Sequence, residues 1–248
     1  MINKTFFLIA AILLALTLPA PAQSGCFICG SQKSLRRIQV DKQDKQICHD
    51  CRTKEQRCDL CRRACTPEYL RDGRRICPTC KSTRILTQEQ LEGLYDNVKG
   101  FLSRDPAGVV VNFTLPVQLA DKDEIQTKMI ERGRAMAVLG FYSPYNPEKI
   151  YILSGQTDID SGATLVHEYT HAWQSRNCPS QDRALKEGFA SYMEYRYLVS
   201  RGQKNKAMNL TRKNDPDYGE SLAKLLEMEK KVGVAGVVKY ATTEKALP

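Results

Sequence analysis

Two histidines and a glutamate, spaced for one helix face, are the residues in this chain best suited to do chemistry. His167-Glu168-Tyr169-Thr170-His171 holds two of the three histidines in 248 residues. On a helix, positions 167 and 171 stand one above the other, about 6 Å apart. That spacing lets two imidazoles meet one Zn²⁺. Glu168 then lies on the neighbouring face, able to reach a water at the ion without ligating it. An ion that lowers the pKa of water toward about 7, beside a carboxylate that takes its proton, is equipment for hydrolysis. The plainer reading is a core helix carrying two satisfied histidines, and it leaves the spacing around a glutamate as coincidence.

A catalytic zinc takes three protein ligands and keeps one position open, so a third ligand is expected downstream. Glu187, in Leu185-Lys186-Glu187-Gly188-Phe189-Ala190-Ser191-Tyr192, is the best candidate. Glu194, two turns further on, competes for the place and suits a solvated contact, or one behind a ligand, better. The helices that must carry these groups can be read locally. Asp160 and Ser161 are good N-cap residues, residues 163–175 lack proline, and Pro179 closes the segment. Ala163, Leu165, Val166 and Ala172 predict that this helix is buried. Ser180 and Asp182 can cap a second helix running to about residue 201, with Gly202 as its stop. Gly188 is expected to let that helix pass close to the first.

With these residues in view, the chain resembles the gluzincin metallopeptidases, whose His-Glu-x-x-His is followed by a separate helix bearing glutamate. More closely it is similar to the plant LIM-domain peptidases that regulate organ size. The resemblance rests on Ile150-Tyr151-Ile152-Leu153-Ser154-Gly155, on Leu165-Val166-His167-Glu168-Tyr169-Thr170-His171-Ala172-Trp173, on Glu187-Gly188 and on Tyr218-Gly219. It covers roughly residues 135–240, and in both a cysteine-rich zinc module comes first. It implies zinc ligands at His167, His171 and Glu187, with Glu168 as general base. A donor for the oxyanion of the tetrahedral intermediate is also needed. Tyr218 is the candidate by its place in the resemblance, with Tyr192 and Tyr195 as rivals. The plant enzymes are cytosolic and respond to ubiquitin; no ubiquitin-binding stretch is evident here, so that regulation is not carried over.

Residues 1–22 read as a secretory signal, with Lys4 in the n-region, an apolar run over 6–18 and Ala20-Pro21-Ala22 before the cleavage point. The run is short for a membrane span. Gln23-Ser24-Gly25 lacks the aliphatic residue expected before a lipidated cysteine at Cys26. The expectation is an exported, soluble protein, periplasmic or extracellular.

Ten cysteines in an exported chain ordinarily mean disulfides. Here eight fall in four Cys-x₂-Cys knuckles: Cys26 with Cys29, Cys48 with Cys51, Cys58 with Cys61, and Cys77 with Cys80. Gaps of eighteen and fifteen residues within successive pairs of knuckles predict two Cys₄ zinc sites. LIM modules contain two such sites in tandem; this one has no histidine ligand at the usual place and a longer join at 52–57. A cross-braced pairing stays open, and His49 reads as a bystander. Cys65 and Cys178 remain, as a disulfide between modules, as a free thiol or, more plainly, as buried cysteines.

Charge divides the chain. Residues 31–85 carry fifteen Lys and Arg against seven Asp and Glu, whereas 86–248 carry twenty-one of each. A basic zinc ribbon can bind nucleic acid, but export and the lack of an aromatic array argue against it. A solvated face, an anionic partner or a membrane surface fits better; the oligomeric state is not legible.

Thr87 and Gln90 form a capping box ahead of Leu91, Leu94, Tyr95, Val98, Phe101 and Leu102 at helical spacing. Residues 109–115 read as a strand, 121–134 as a helix, and 135–142 and 149–153 as strands. The last of these could hold an extended substrate as an added strand, or simply be a core strand. The segment from 202 to 213 reads as a loop, 215–231 as a helix and 232–240 as a short final helix. The expected architecture is α+β: signal 1–22, a LIM-like double zinc ribbon at 23–85, and a gluzincin-like peptidase domain at 86–248 with a mostly helical C-terminal half. The expected activity is that of a secreted zinc endopeptidase with one catalytic and two structural zinc ions, acting on protein or peptide substrates. The competing reading is a zinc-ribbon adaptor on a vestigial metallopeptidase lobe.

Overall fold

A computed structural model of the chain describes residues 25–40, 43–53, 57–63, 65–113, 115–131, 138–212 and 215–247. The expected signal, the first three residues of the strand expected at 135–142 and the end of the helix expected at 121–134 lie outside these residues. Among the described residues no helix is long and apolar enough to cross a membrane.

The fold is α+β, and its contacts separate two units: Met1–Gln56 with Ala64–Thr66, and Arg57–Arg63 with Pro67–Pro248. This division differs from the expected boundary at 85/86. The two cysteine clusters fall in different units, because the second is hydrogen-bonded into the chain that follows it.

The first unit is an antiparallel hairpin, β1 (Leu35–Val40) and β2 (Gln43–Cys48), followed by a short helix α1 (His49–Thr53). Its core is small: Cys26, Ile47, Cys48 and Cys51 are buried, with Phe27, Ile28, Leu35 and Ile38 against them. So little apolar area cannot offset the entropy of ordering the chain, which is why metal-stapled ribbons this size need their metal.

The second unit begins with another ribbon, β3 (Glu68–Tyr69) antiparallel to β4 (Arg75–Ile76), and α2 (Pro78–Thr83). Three of its basic residues are committed to ion pairs, Arg74 with Asp72, Arg75 with Asp59 and Lys81 with Glu68. Part of the positive surplus is therefore structural.

Next comes α3 (Gln88–Leu102), where Thr87 and Gln90 form the reciprocal capping box and Leu91, Leu94, Tyr95, Val98 and Leu102 face the core. The strand expected at 109–115 is absent among the described residues there. Val109 and Leu115 are instead buried from irregular chain while Val110 is exposed, and the Val111 N–H is donated to the Tyr169 hydroxyl at 2.9 Å. β5 is Val117–Ala120 and α4 is Lys122–Glu131; β6 (Gly140–Ser143) and β7 (Lys149–Leu153) complete a sheet of order β5-β7-β6. β7 runs parallel to β5 and antiparallel to β6. Its alternation sends Ile150 and Ile152 into the main core and Tyr151 toward α4, where Tyr151 stacks on Phe141. Being central, β7 has both ladders filled and cannot receive an added strand. Residues 150–153 therefore do not hold substrate as an added strand.

α5 (Asp158–Asn177) and α6 (Arg183–Ser200) form the most extensive helix pair. α5 starts earlier than its sequence suggests, since Thr157 accepts from the Asp160 N–H as N-cap. Asp182 caps α6 as expected, by accepting from Leu185 N–H. Gly162 makes the close approach of these helices: a Cβ there would lie 2.2 Å from the Tyr197 hydroxyl. Gly188 serves a different neighbour from the one expected, because its Cβ would lie 2.6 Å from Ser221 Cβ. The segment expected to be a loop after Gly202 contains α7 (Lys204–Leu210), which buries Ala207. A single π-helical turn, Pro216–Glu220, capped by Asp215, leads into α8 (Ser221–Thr243). Gly233, at φ 72°, breaks α8 near the expected junction of two helices.

Candidate functional site

Helices α5 and α6 bring His167, His171 and Glu187 together. The Glu187 carboxylate lies 3.3 Å from His167 Nε2 and 3.3 Å from His171 Nε2. These contacts are long for charged hydrogen bonds, which prefer about 2.7–2.9 Å. They match the edge of a tetrahedron whose centre binds nitrogen and oxygen at about 2.0–2.1 Å, an edge of about 3.3–3.4 Å. The donor set and its spacing therefore fit a zinc ion.

Each imidazole is fixed by its other nitrogen. His167 Nδ1 meets Glu194 at 3.2 Å, and His171 Nδ1 meets Gln174 Oε1 at 3.0 Å. Acceptors at both Nδ1 atoms hold a proton on that nitrogen of each ring, so with a metal bound each Nε2 would be the ligating atom on the Glu187 side. Gln174 is held in turn, donating to the Lys186 carbonyl at 3.0 Å and to Gln181 at 3.1 Å. Glu194, the rival third ligand, thus stands behind His167 while Glu187 faces both rings. Sequence spacing could not divide the two roles, because the crossing of α5 and α6 decides which carboxylate reaches which nitrogen.

The electrostatics call for positive charge. Burial of the His167 ring opposes its protonation, yet Glu187 and Glu194 on its nitrogens, with Glu168 nearby, raise its pKa to about 10. Burial likewise opposes a charge on Glu187, but the two imidazoles hold its carboxyl far below the usual range. Three carboxylates around two buried rings make a site that draws a cation.

Glu168 points toward the sheet. Its carboxylate accepts the Tyr142 N–H at 2.8 Å, an outward-facing amide of edge strand β6. Tyr218, on the π turn, lays its ring parallel to that of His167, with centroids 6.2 Å apart at 19°. Its hydroxyl interacts with Glu187 and with Arg183, and burial together with the Glu187 charge pushes its pKa up. It therefore remains a protonated donor at neutral pH. Of its rivals, Tyr192 is fully buried in the core against Phe189, with Arg196 at its hydroxyl, and Tyr195 packs on the main core. Arg183, one turn before Glu187, also pairs with Asp217 at 3.0 Å. Sequence reasoning missed Gln174, Arg183 and the Tyr142 amide. The first two lie at helical spacing from His171 and Glu187 and could have been found; a backbone amide leaves no mark in sequence.

The cysteines form two clusters, Cys26, Cys29, Cys48 and Cys51 in one unit, and Cys58, Cys61, Cys77 and Cys80 in the other. Knuckles pair in sequence order, so the cross-braced arrangement is not the one adopted. These eight form no disulfide. Cys29 and Cys48 Sγ lie 3.7 Å apart and Cys61 and Cys77 Sγ 3.8 Å apart. A tetrahedral zinc with Zn–S bonds of about 2.3 Å sets its sulfurs about 3.8 Å apart. Burial opposes the thiolates, yet nearby backbone N–H groups lower Cys26 to about 6 and Cys58 to about 7. In each cluster burial and the neighbouring thiols push another cysteine, Cys51 or Cys80, well up. Four thiols this close shed their protons together only around a cation, so both groups could hold a metal ion such as zinc. His49 is exposed and outside the cluster. Cys65 is buried, and Cys178 is half-buried at the C-cap of α5, its thiol pushed up to about 11 by burial.

No family model, no curated protein and no solved structure matches the chain.

Proposed function

We propose that this chain is a zinc-dependent endopeptidase of gluzincin type, exported from the cell, with structural zinc in both cysteine clusters. The observation that carries the reading is the 3.3 Å spacing of Glu187 from both ring nitrogens, with Glu168 close by on the same helix. Zinc held by His167, His171 and Glu187 would acidify water and polarise the scissile carbonyl. Glu168 takes the proton of the attacking water and later delivers one to the leaving amine. The Tyr142 amide holds that carboxylate at the sheet edge. Glu194 and Gln174 keep the two rings aimed, and Tyr218 offers its hydroxyl to the developing oxyanion.

Casein or a quenched peptide library tests the reading. Cleavage that a zinc chelator stops and added zinc restores is the expected result. A chain carrying metal at all three clusters that cleaves neither substrate would refute it.

A further inference from the structure

Four residues, 154–157, join β7 to α5, and the second ribbon together with Arg84 and Ile85, which leave it, holds all of them. Arg74 donates to the Ser154 carbonyl at 2.9 Å and to its hydroxyl at 2.8 Å. The Gly155 N–H donates to the Ile85 carbonyl at 2.8 Å, and the Ile85 N–H to the Gln156 carbonyl at 2.9 Å. Thr157, which caps α5, pairs with Arg84 in an antiparallel bridge. Gly155 has φ 90°, and the Leu60 methyls stand 3.0 and 3.1 Å from where a Cβ would lie.

Two of these partners, Leu60 and Arg74, are placed by the cysteine cluster itself. Leu60 sits between Cys58 and Cys61, while Arg74 precedes β4, the strand that leads into Cys77. Arg74 is held by Asp72 at 2.7 Å, and the same carboxylate accepts the Lys122 N–H of α4 at 2.9 Å. On its far side the connector is fixed to the sheet, the buried Gln156 amide donating to the Leu139 and Leu153 carbonyls at 2.7 and 3.0 Å.

The consequence follows from the stiffness of a helix. Thr157 starts α5, and His167 and Glu168 lie in its middle turns, so a tilt at the cap displaces both. A misplacement of about 1 Å at reacting groups can cost about 10²-fold in rate.

We propose that the Cys58, Cys61, Cys77 and Cys80 cluster is part of the frame of the hydrolytic site: metal there holds the 154–157 connector and with it the register of α5. Arg74 is the positioning residue. The inference rests on the peptidase reading above for its catalytic consequence, but not for its structural one.

The test uses the full-length chain with Arg74→Ala, Arg74→Lys and Cys77→Ser. Zinc content, hydrogen exchange of amides 154–164 and peptide hydrolysis are measured on each. Arg74→Ala is expected to keep its zinc and to speed exchange over the connector and first turns of α5 about tenfold. Its kcat should fall about tenfold with KM within about twofold, and Arg74→Lys should recover part of both losses. Cys77→Ser should lose one zinc and show larger changes in exchange and kcat. Arg74→Ala with unchanged exchange overturns the proposal, and so does faster exchange with an unchanged kcat. A wild-type chain that cleaves nothing would sink the peptidase reading alone, because the exchange comparison still decides whether the ribbon holds the connector.

Discussion

Replacing Gly188 by alanine should disturb the candidate site without touching a ligand. A Cβ at 188 would lie 2.6 Å from Ser221 Cβ and 3.4 Å from the Ser221 carbonyl carbon. Carbon atoms pack at about 3.5–4.0 Å, so Ser221 must retreat by about 1 Å. Ser221 is buried, its hydroxyl donates to the Pro216 carbonyl at 2.5 Å, and it directly follows the turn that carries Tyr218. Its retreat draws Tyr218 off the His167 ring. Overpacking of this kind costs about 1–3 kcal/mol. For a domain of this size that lowers Tm by about 2–12 °C, at about 2–4 °C per kcal/mol. Zinc should be retained, since His167, His171 and Glu187 are intact, while kcat should fall by about 10²-fold if Tyr218 moves by about 1 Å. Scanning calorimetry, metal analysis and peptide hydrolysis on one preparation check all three. A variant that melts within about 1 °C of wild type and cleaves at the wild-type rate would show that α6 and α8 do not meet as described.

Glu194→Gln removes the charge behind His167 and should weaken zinc binding at that site about 10–100-fold, read by chelator competition; an unchanged affinity would deny Glu194 its orienting part. Glu148 offers a pH test outside the His167, His171 and Glu187 cluster. Hydrogen bonds from Arg176 and, secondarily, from Tyr142 hold its carboxyl below the usual range. A depressed folded pKa means stability that is present above the unfolded value of about 4.3 and is lost as pH falls through the lower folded value. Because Arg176 is 40% exposed, the pair is worth at most about 1 kcal/mol. Glu148→Gln should therefore flatten the acid limb of the Tm profile, and a limb identical to wild type would contradict the assignment.

Local structure is legible in the sequence where local forces decide. The capping box at Thr87 and Gln90, the Asp182 cap and the strand at 149–153 each depend on a few neighbouring residues, and each appears where expected. The helical spacing of His167 and His171 also settled their shared face. The sequence is silent where distant partners decide. The apolar run at 109–115 looks like a strand, but the neighbour it finds is the Tyr169 hydroxyl, 58 residues from Val111, and not another strand. α7 buries only Ala207, so its sequence carries too weak an apolar pattern to show a helix. Gly188 makes room for Ser221, and nothing local in the sequence points to that neighbour. Most of all, the bond from Arg74 to Ser154 spans 80 residues, so a ribbon that spacing assigns to an N-terminal module belongs by contact to the unit that follows.

The most direct test of the central claim is the hydrolytic rate of Glu168→Gln beside its zinc content. The account predicts an unchanged metal count, because Glu168 reaches the Tyr142 amide rather than the ligand cluster. It also predicts a rate reduced by about 10²–10⁴-fold, the usual contribution of a general base. A variant with its metal intact and wild-type turnover would contradict the account.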